Sequence, residues 1–211
     1  MALSCYSALH ADRPLENPPV ELFLTFLRHD DALVRAAAAS GLNTVGAGVP
    51  EEGRVVNALT AVLEDDPDPE VVFCAASALS HIRCADAANS RLAARALARH
   101  AASSAPRVRA ASVEGALLRD EPDAHRRLTA ELHRPDVEGV FVSVAGGYAS
   151  HREADLPDAQ RTELIELLER LREEGWAHRP REDDDSSDAD FRAGELERAQ
   201  EALRTFASRR S

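Results

Sequence analysis

Apolar residues recur along the chain at spacings of three and four positions, and short runs of proline, glycine or acidic residues separate these stretches. This spacing places apolar side chains on one side of an α-helix and predicts a succession of amphipathic helices. The predicted helices form consecutive pairs, each with a first and a second helix, and the sequence as a whole predicts an all-α fold. First helices are expected from near Val20, Gly53, Ser90 and Pro122, and second helices from near Asp31, Pro69, Pro106 and Pro135.

The helices come in pairs that repeat with a period of 37 residues. Fixed self-similarity at a period of about 20 to 50 residues is typical of solenoids, in which successive copies stack and share one core. The related positions include Val34, Val71 and Val108, then Gly41, Ala78 and Gly115, and upstream Leu22 and Leu59.

Short motifs mark the boundaries of two helices. Asp68-Pro69-Glu70 predicts a helix start, because Asp caps free backbone amides, Pro suits the first helical position, and Glu favours the positive end of the helix dipole. A further helix is expected to begin at Asp158 in the same way and to end at Gly175.

Two stretches depart from the repeat. The Val- and Gly-rich segment after Pro135 is interpreted as a second helix, with a short strand as the alternative. After Trp176 an acidic stretch predicts a flexible loop, and Asp188, Phe191 and Arg192 then restore the repeat spacing. We therefore predict a lead-in over 1–19, four repeats and the first helix of a fifth over 20–175, an acidic loop over 176–190, and a capping helix over 191–211.

The composition favours a helical fold and indicates the charge of the expected partner. Of 211 residues, 44% are apolar but only 4% are aromatic, which favours closely packed helices over sheets. The formal net charge is −12, and every one of the 25 basic residues is arginine. We expect no binding to nucleic acids or membranes, because phosphate-rich surfaces require a basic protein. A protein with a basic surface is the expected partner, since opposite charge speeds association.

The location expected from the sequence is the cytoplasm. The three cysteines, Cys5, Cys74 and Cys84, are too few for the disulfide framework of a small secreted domain. The opening residues lack the basic and apolar regions of a signal peptide, and no stretch approaches the roughly eighteen apolar residues of a membrane span.

One group of residues invites a chemical interpretation. Cys74, His81 and Cys84 are expected on one side of a single helix. Seven residues of helix separate Cys74 from His81 by roughly 10 Å, so only His81 and Cys84 could share a metal ion, and two ligands are too few for structural zinc. We therefore expect no metal and no cofactor, and we interpret the cysteines as packing residues. Cys84 acting as a nucleophile with His81 as its base stays open as an alternative.

The second helices carry a pattern that resembles the HEAT repeat. Asp, Val, Arg, Ala and Leu follow one another at the spacing of that family's second helix, although Val72 replaces the Arg and Ala105 replaces the Asp in later copies. The pattern consists of Asp31, Val34, Arg35, Ala38 and Leu42, and recurs as Asp68, Val71, Ala75 and Leu79, and then as Val108, Arg109 and Ser112.

The resemblance implies a right-handed α-α superhelix, or solenoid, of about five HEAT-like hairpins. In that family the second helices line a concave inner surface that commonly holds another protein, and the Asp and Arg link neighbouring repeats. We therefore predict a non-catalytic adaptor or scaffold that binds another protein through this inner surface. A narrower form of the prediction rests on the size, acidity and expected rigidity of the chain, and is that it neutralises a basic partner, as an immunity protein does. The alternative is a HEAT-like, lyase-type enzyme that handles a small molecule or tetrapyrrole in its groove. The predicted contact residues, taken as exposed positions on the inner helices, are Arg35, Ser77, Arg109, Ser112, Glu114 and Glu138.

Overall fold

The computed structural model describes residues 19–43, 49–152, 156–179 and 188–207, with the side chains of 188, 206 and 207 excepted. These residues form ten α-helices and one 3-10 turn and contain no strand, which confirms the all-α class. Most of the predicted lead-in and residues 180–187 of the predicted acidic loop lie outside the described residues. The helices are α1 Val20–Phe26, α2 Ala32–Leu42, α3 Glu52–Asp65, α4 Pro69–His81, α5 Ala87–Arg99, α6 Pro106–Leu118, α7 Ala124–Leu132, α8 Gly139–Arg152, α9 Asp158–Glu173 and α10 Asp188–Ala207, with the 3-10 turn at Trp176–His178.

The chain divides into two compact units, the first ending at Arg119 and the second beginning at Asp120. In the first unit, the helices described form the successive hairpins α1/α2, α3/α4 and α5/α6. The second helices α2, α4 and α6 pack side by side in one layer, and α3 packs against α5 in the other. This two-layer stacking of hairpins is the arrangement of a solenoid.

Capping residues explain where the second helices begin. The Asp31 carboxylate accepts a hydrogen bond from the Leu33 amide at 2.8 Å, and the Asp68 carboxylate accepts from the Glu70 amide at 2.9 Å. Pro69 occupies the start of α4, as the sequence motif predicts. Each cap satisfies backbone amides that the helix itself leaves free, so these boundaries are determined locally.

Small residues allow the second helices to approach closely. Ala38 and Ala39 of α2 and Ala75 and Ala76 of α4 are fully buried. Gly115 of α6 is packed still more tightly, since a methyl group built there would lie 2.5 Å from Leu97 Cδ1 and 3.2 Å from a backbone atom of α4. The alanine-rich composition of these helices therefore reflects contact between successive hairpins.

A buried carboxylate links the first helices of two repeats. Glu52, at the start of α3, is 4% exposed. It accepts hydrogen bonds from the Ala85 amide at 2.8 Å, the Asp86 amide at 3.1 Å and the Asn89 side chain at 2.8 Å. Because these donors precede or begin α5, Glu52 fixes the position of α5 against α3.

The second unit contains the hairpins α7/α8 and α9/α10 among its described residues. The Val- and Gly-rich segment forms the regular helix α8, so the strand alternative is wrong, and α8 begins at Gly139 rather than near Pro135. The small side of this helix explains the result, because a methyl group at Gly146 would lie 3.0 Å from the Cα of Ala199 in α10. Close packing on α10 outweighs the low helix propensity of valine and glycine.

The last described hairpin, α9/α10, is held together around its connecting segment. Gly175 follows α9 with a left-handed backbone, as predicted for a helix end. Arg192 of α10 is buried and donates to the carbonyl of Ala177 at 2.9 Å and to that of Arg179 at 3.2 Å. The helix itself begins at Asp188, three residues before the predicted start of the capping helix.

Candidate functional site

The second helices of the first unit present side chains that their packing leaves wholly or partly exposed. Positions 33, 70 and 107 are equivalent in the 37-residue repeat, as are positions 40, 77 and 114, so they form two rows across α2, α4 and α6. We call this surface the second-helix face; its residues are Leu33, Ser40, Glu70, Phe73, Ser77, His81, Arg107 and Glu114.

An aromatic and charged cluster lies between α4 and α6 on the second-helix face. The Arg107 guanidinium lies over the Phe73 ring, 3.7 Å from its centroid, and also pairs with the Glu70 carboxylate at 2.5 Å. Leu33, at the equivalent position on α2, is 76% exposed. Aromatic and arginine side chains are enriched where proteins bind other proteins.

His81, Ser80 and Glu114 imitate a catalytic triad without its chemistry. The His81 Nδ1 atom lies 2.9 Å from the Ser80 hydroxyl, and its Nε2 atom lies 3.4 Å from the Glu114 carboxylate. Ser80, however, is only 2% exposed, and its hydroxyl donates a hydrogen bond to the Ser77 carbonyl at 2.7 Å. A buried hydroxyl that is already engaged in this way is no accessible nucleophile.

Glu114 is also the main electrostatic neighbour of His81. Its carboxylate raises the pKa of His81 above the ordinary value, while burial and the Arg119 guanidinium act in the opposite direction. The Glu114 carboxylate thus stabilises the charged form of His81, and the pair connects α4 to α6.

The two described cysteines differ from the sequence interpretation in one respect. Helix α4 ends at His81, so Cys84 lies in the following turn and not on the same helix as Cys74. Burial raises the pKa of both thiols, and the Glu52 carboxylate adds to the effect at Cys84. A raised pKa leaves less of the reactive thiolate, which gives no support to Cys84 as a nucleophile.

Neither a cluster of metal ligands nor a membrane-spanning helix is found among the described residues. Across residues 19–43, 49–152, 156–179 and 188–207, no group of His, Cys, Asp and Glu side chains has the arrangement of a metal site. In the described part of the chain, no helix has both the length and the apolar character that crossing a membrane requires.

Two predicted contact residues, Arg35 and Arg109, hold hairpin turns together. Arg35 pairs with both carboxylate oxygens of Asp66, at 2.8 and 3.0 Å, and so joins α2 to the turn of the next repeat. It also donates to the His29 and Asp30 carbonyls of its own turn, at 3.0 and 2.9 Å. Arg109 repeats the second contact 74 residues later, donating to the carbonyls of Ser103 and Ser104. These arginines therefore have a structural role.

Of the other four predicted contact residues, two lie on the second-helix face and two do not. Ser77 and Glu114 belong to the face and are partly exposed. Ser112 does not, because it is 2% exposed and donates to the Val108 carbonyl at 3.1 Å; its predicted exposure is wrong. Glu138 precedes α8 and so is not on a second helix, which also corrects the prediction.

Sequence reasoning missed most of the aromatic and charged cluster. The sequence motifs identify Glu70 only as a helix-start residue, and they do not mark Leu33, Phe73 or Arg107. The repeat did contain a signal, since Leu33, Glu70 and Arg107 follow one another at the 37-residue period. Which of the period-related positions face solvent depends on how each helix is rotated, and the tertiary packing sets that rotation.

Comparison with known proteins supports the same architecture. Residues 20–117 match the family model described as HEAT repeats. This part of the chain belongs to the HEAT-repeat family. HEAT repeats are in general scaffolds for protein interaction and are typically non-catalytic. The match covers the three hairpins described in the first unit, which includes the whole second-helix face.

Comparisons with solved structures and with curated proteins give no further support for the fold or the function. The crystal structure of an engineered protein from the Northeast Structural Genomics Consortium is 20% identical, with 89% of this chain and 80% of that chain covered and a TM-score of 0.44. A likeness this low supports no argument, so the HEAT assignment rests on the family match and the helix packing. The search of curated proteins finds no match.

Proposed function

We propose that the protein is a non-catalytic adaptor that binds another protein through the second-helix face, and that the partner presents a basic surface to it. One observation carries this proposal: within HEAT repeats, the face combines the Arg107–Phe73 stack with the carboxylates of Glu70 and Glu114. Such a surface offers an aromatic anchor next to acidic groups that can pair with lysine or arginine.

The overall charge supports a basic partner. The net charge of −12 favours rapid encounter with a positively charged protein and disfavours binding to nucleic acid. Binding would cover the partner's basic surface, and a toxin that acts through that surface would be neutralised. This immunity-type role is the most specific form of the proposal.

The chain contains no lysine, which allows a selective experiment. Carbodiimide couples carboxylates to lysine amines at contact distance, so any bond between an acidic side chain of this protein and a lysine side chain identifies a partner lysine. We expect mass spectrometry of cross-linked lysate to find such bonds at Glu70 and Glu114. Glu64 of α3 is the internal control, because it is an exposed carboxylate of the first unit on a first helix.

Variants separate the second-helix face from the rest of the surface. Phe73→Ala is expected to weaken binding of the cross-linked partner by about thirtyfold, in line with loss of an aromatic anchor worth about 2 kcal/mol. Glu64→Gln is expected to change the affinity by less than about twofold. Equal cross-linking of Glu64 and Glu114, or unchanged binding by Phe73→Ala, would contradict the proposed site.

A further inference from the structure

The hydrogen-bond geometry around His81 determines which of its protonation states fits the structure. The Nδ1 atom lies 3.0 Å from the Ser77 carbonyl, which can only accept a hydrogen bond. The Ser80 hydroxyl directs its O–H at the same carbonyl, so its oxygen faces Nδ1 as a hydrogen-bond acceptor. On the other side of the ring, Nε2 lies 3.4 Å from the Glu114 carboxylate, another acceptor. Only the doubly protonated imidazolium has an N–H for both sides.

The charged surroundings of His81 agree with that geometry. Glu114, on α6, faces Nε2 and favours the positive charge. Arg119, just after α6, opposes it, although its guanidinium is directed at the carbonyls of Leu79, Ser80 and Ile82. Among the described residues of the helices that pack on α4, these are the charged groups that act on the ring.

We propose that His81 is a proton-controlled latch on the second-helix face. In its charged form it holds the Glu114 carboxylate and ties α4 to α6; when it loses its proton, Glu114 is released to bind a basic group of the partner. This regulation rests on the proposed function, because Glu114 is one of the carboxylates assigned to the partner. Binding of a basic partner is therefore expected to strengthen as the pH rises and His81 loses its proton.

The direction of the stability effect follows from linkage. A histidine whose folded-state pKa is raised stabilises the fold fully below its unfolded-state pKa, and this stabilisation is lost as the pH rises through the folded-state value. The latch thus strengthens the contact between α4 and α6 at low pH and weakens it at high pH.

The first experiment requires no partner. NMR titration of the histidines in the full chain is expected to give His81 a pKa above the ordinary value, and Glu114→Gln is expected to lower it. His100, whose pKa burial lowers, serves as the internal control and is expected to titrate alike in both proteins. If His81 titrates in Glu114→Gln as it does in the unmodified protein, the latch is refuted.

Stability measurements give an independent readout of the same link. The melting temperature of Glu114→Gln is expected to lie below that of the unmodified protein at about pH 5.5 and to approach it at about pH 8.5. A difference that is constant with pH would show that Glu114 acts without His81 and would overturn the proposal.

The second experiment tests release toward a basic ligand, with an oligolysine peptide as the probe. The unmodified protein is expected to bind it roughly two- to fivefold more tightly at about pH 8 than at about pH 6, the effect of one partly exposed ion pair. His81→Ala is expected to remove this pH dependence, whereas the control His100→Ala is expected to retain it. If the peptide binds equally at both pH values, the latch is refuted. If the peptide binds at neither pH although Glu114→Gln lowers the pKa of His81 in the NMR titration, the proposed basic-partner function fails and the link between His81 and Glu114 stands.

Discussion

Glu52 offers the sharpest test of how the repeats are held in register. Its carboxylate receives three hydrogen bonds from the chain around the start of α5, at 2.8, 3.1 and 2.8 Å, and it is almost fully buried. Glu52→Gln keeps the size and shape of the side chain but replaces one acceptor oxygen with an NH₂ donor. That donor must face the Ala85 or Asp86 amide, or the Asn89 side chain, all of which donate already.

The structure sets the size of the expected loss. At least one buried N–H loses its acceptor, which costs about 1–3 kcal/mol, and the remaining hydrogen bonds change from charged to neutral at about 1 kcal/mol each. Relaxation of the turn before α5 recovers part of this cost. We therefore expect the free energy of unfolding to fall by about 3 kcal/mol.

Urea unfolding of the full chain, followed by far-UV circular dichroism, measures this loss. Glu51→Gln is the matched control, because it makes the same chemical change at the neighbouring residue, whose side chain makes no capping hydrogen bond. The control is expected to change the stability by less than about 0.5 kcal/mol. If both variants lose the same amount, the three hydrogen bonds do not stabilise the α3–α5 contact and the reasoning is refuted.

Three further predictions concern packing, charge and the second unit. In urea unfolding, Gly115→Ala is expected to lower the stability by about 1–2 kcal/mol because the added methyl group overpacks the site. Gly147 is helical and exposed, so Gly147→Ala is expected to raise the stability by about 0.5–1 kcal/mol. Loss of stability in both variants would contradict the packing argument. Arg35 lowers the pKa of Asp66, so Asp66→Asn is expected to reduce the melting temperature near neutral pH. The difference between the variant and the unmodified protein is expected to shrink as the pH falls through the folded-state pKa of Asp66. A difference that does not change with pH would argue against the ion pair. Trp176, the one tryptophan of the chain, is buried and donates a hydrogen bond to the Val137 carbonyl. Trp176→Phe is therefore expected to lower the free energy of unfolding by about 1–3 kcal/mol, measured by calorimetry. An unchanged stability would show that water satisfies that carbonyl instead.

Much of the architecture is encoded locally and could therefore be predicted. Helix starts such as Asp68-Pro69-Glu70 depend on residues next to one another, and their caps formed as expected. The 37-residue period likewise needs no knowledge of contacts, because repetition in the sequence implies repetition in the packing. Even so, α8 shows the limit of local propensity, since valine and glycine form a helix there under the influence of α10.

The candidate site depended on contacts between residues distant in sequence. Arg35 and Ser112 have residue types suited to a binding surface, yet one is committed to Asp66 and the other is buried. The links from Glu52 to the start of α5 and from His81 to Glu114 join residues more than 30 positions apart.

By itself, then, the sequence determined that this protein is a series of paired helices with a HEAT-like period, because capping, helix propensity and apolar spacing act over a few residues. Only the tertiary structure decided which side chains of the second helices face solvent and which carboxylates are occupied. That outcome depends on how each helix is rotated against its neighbours, and the neighbours lie a whole repeat away in the chain.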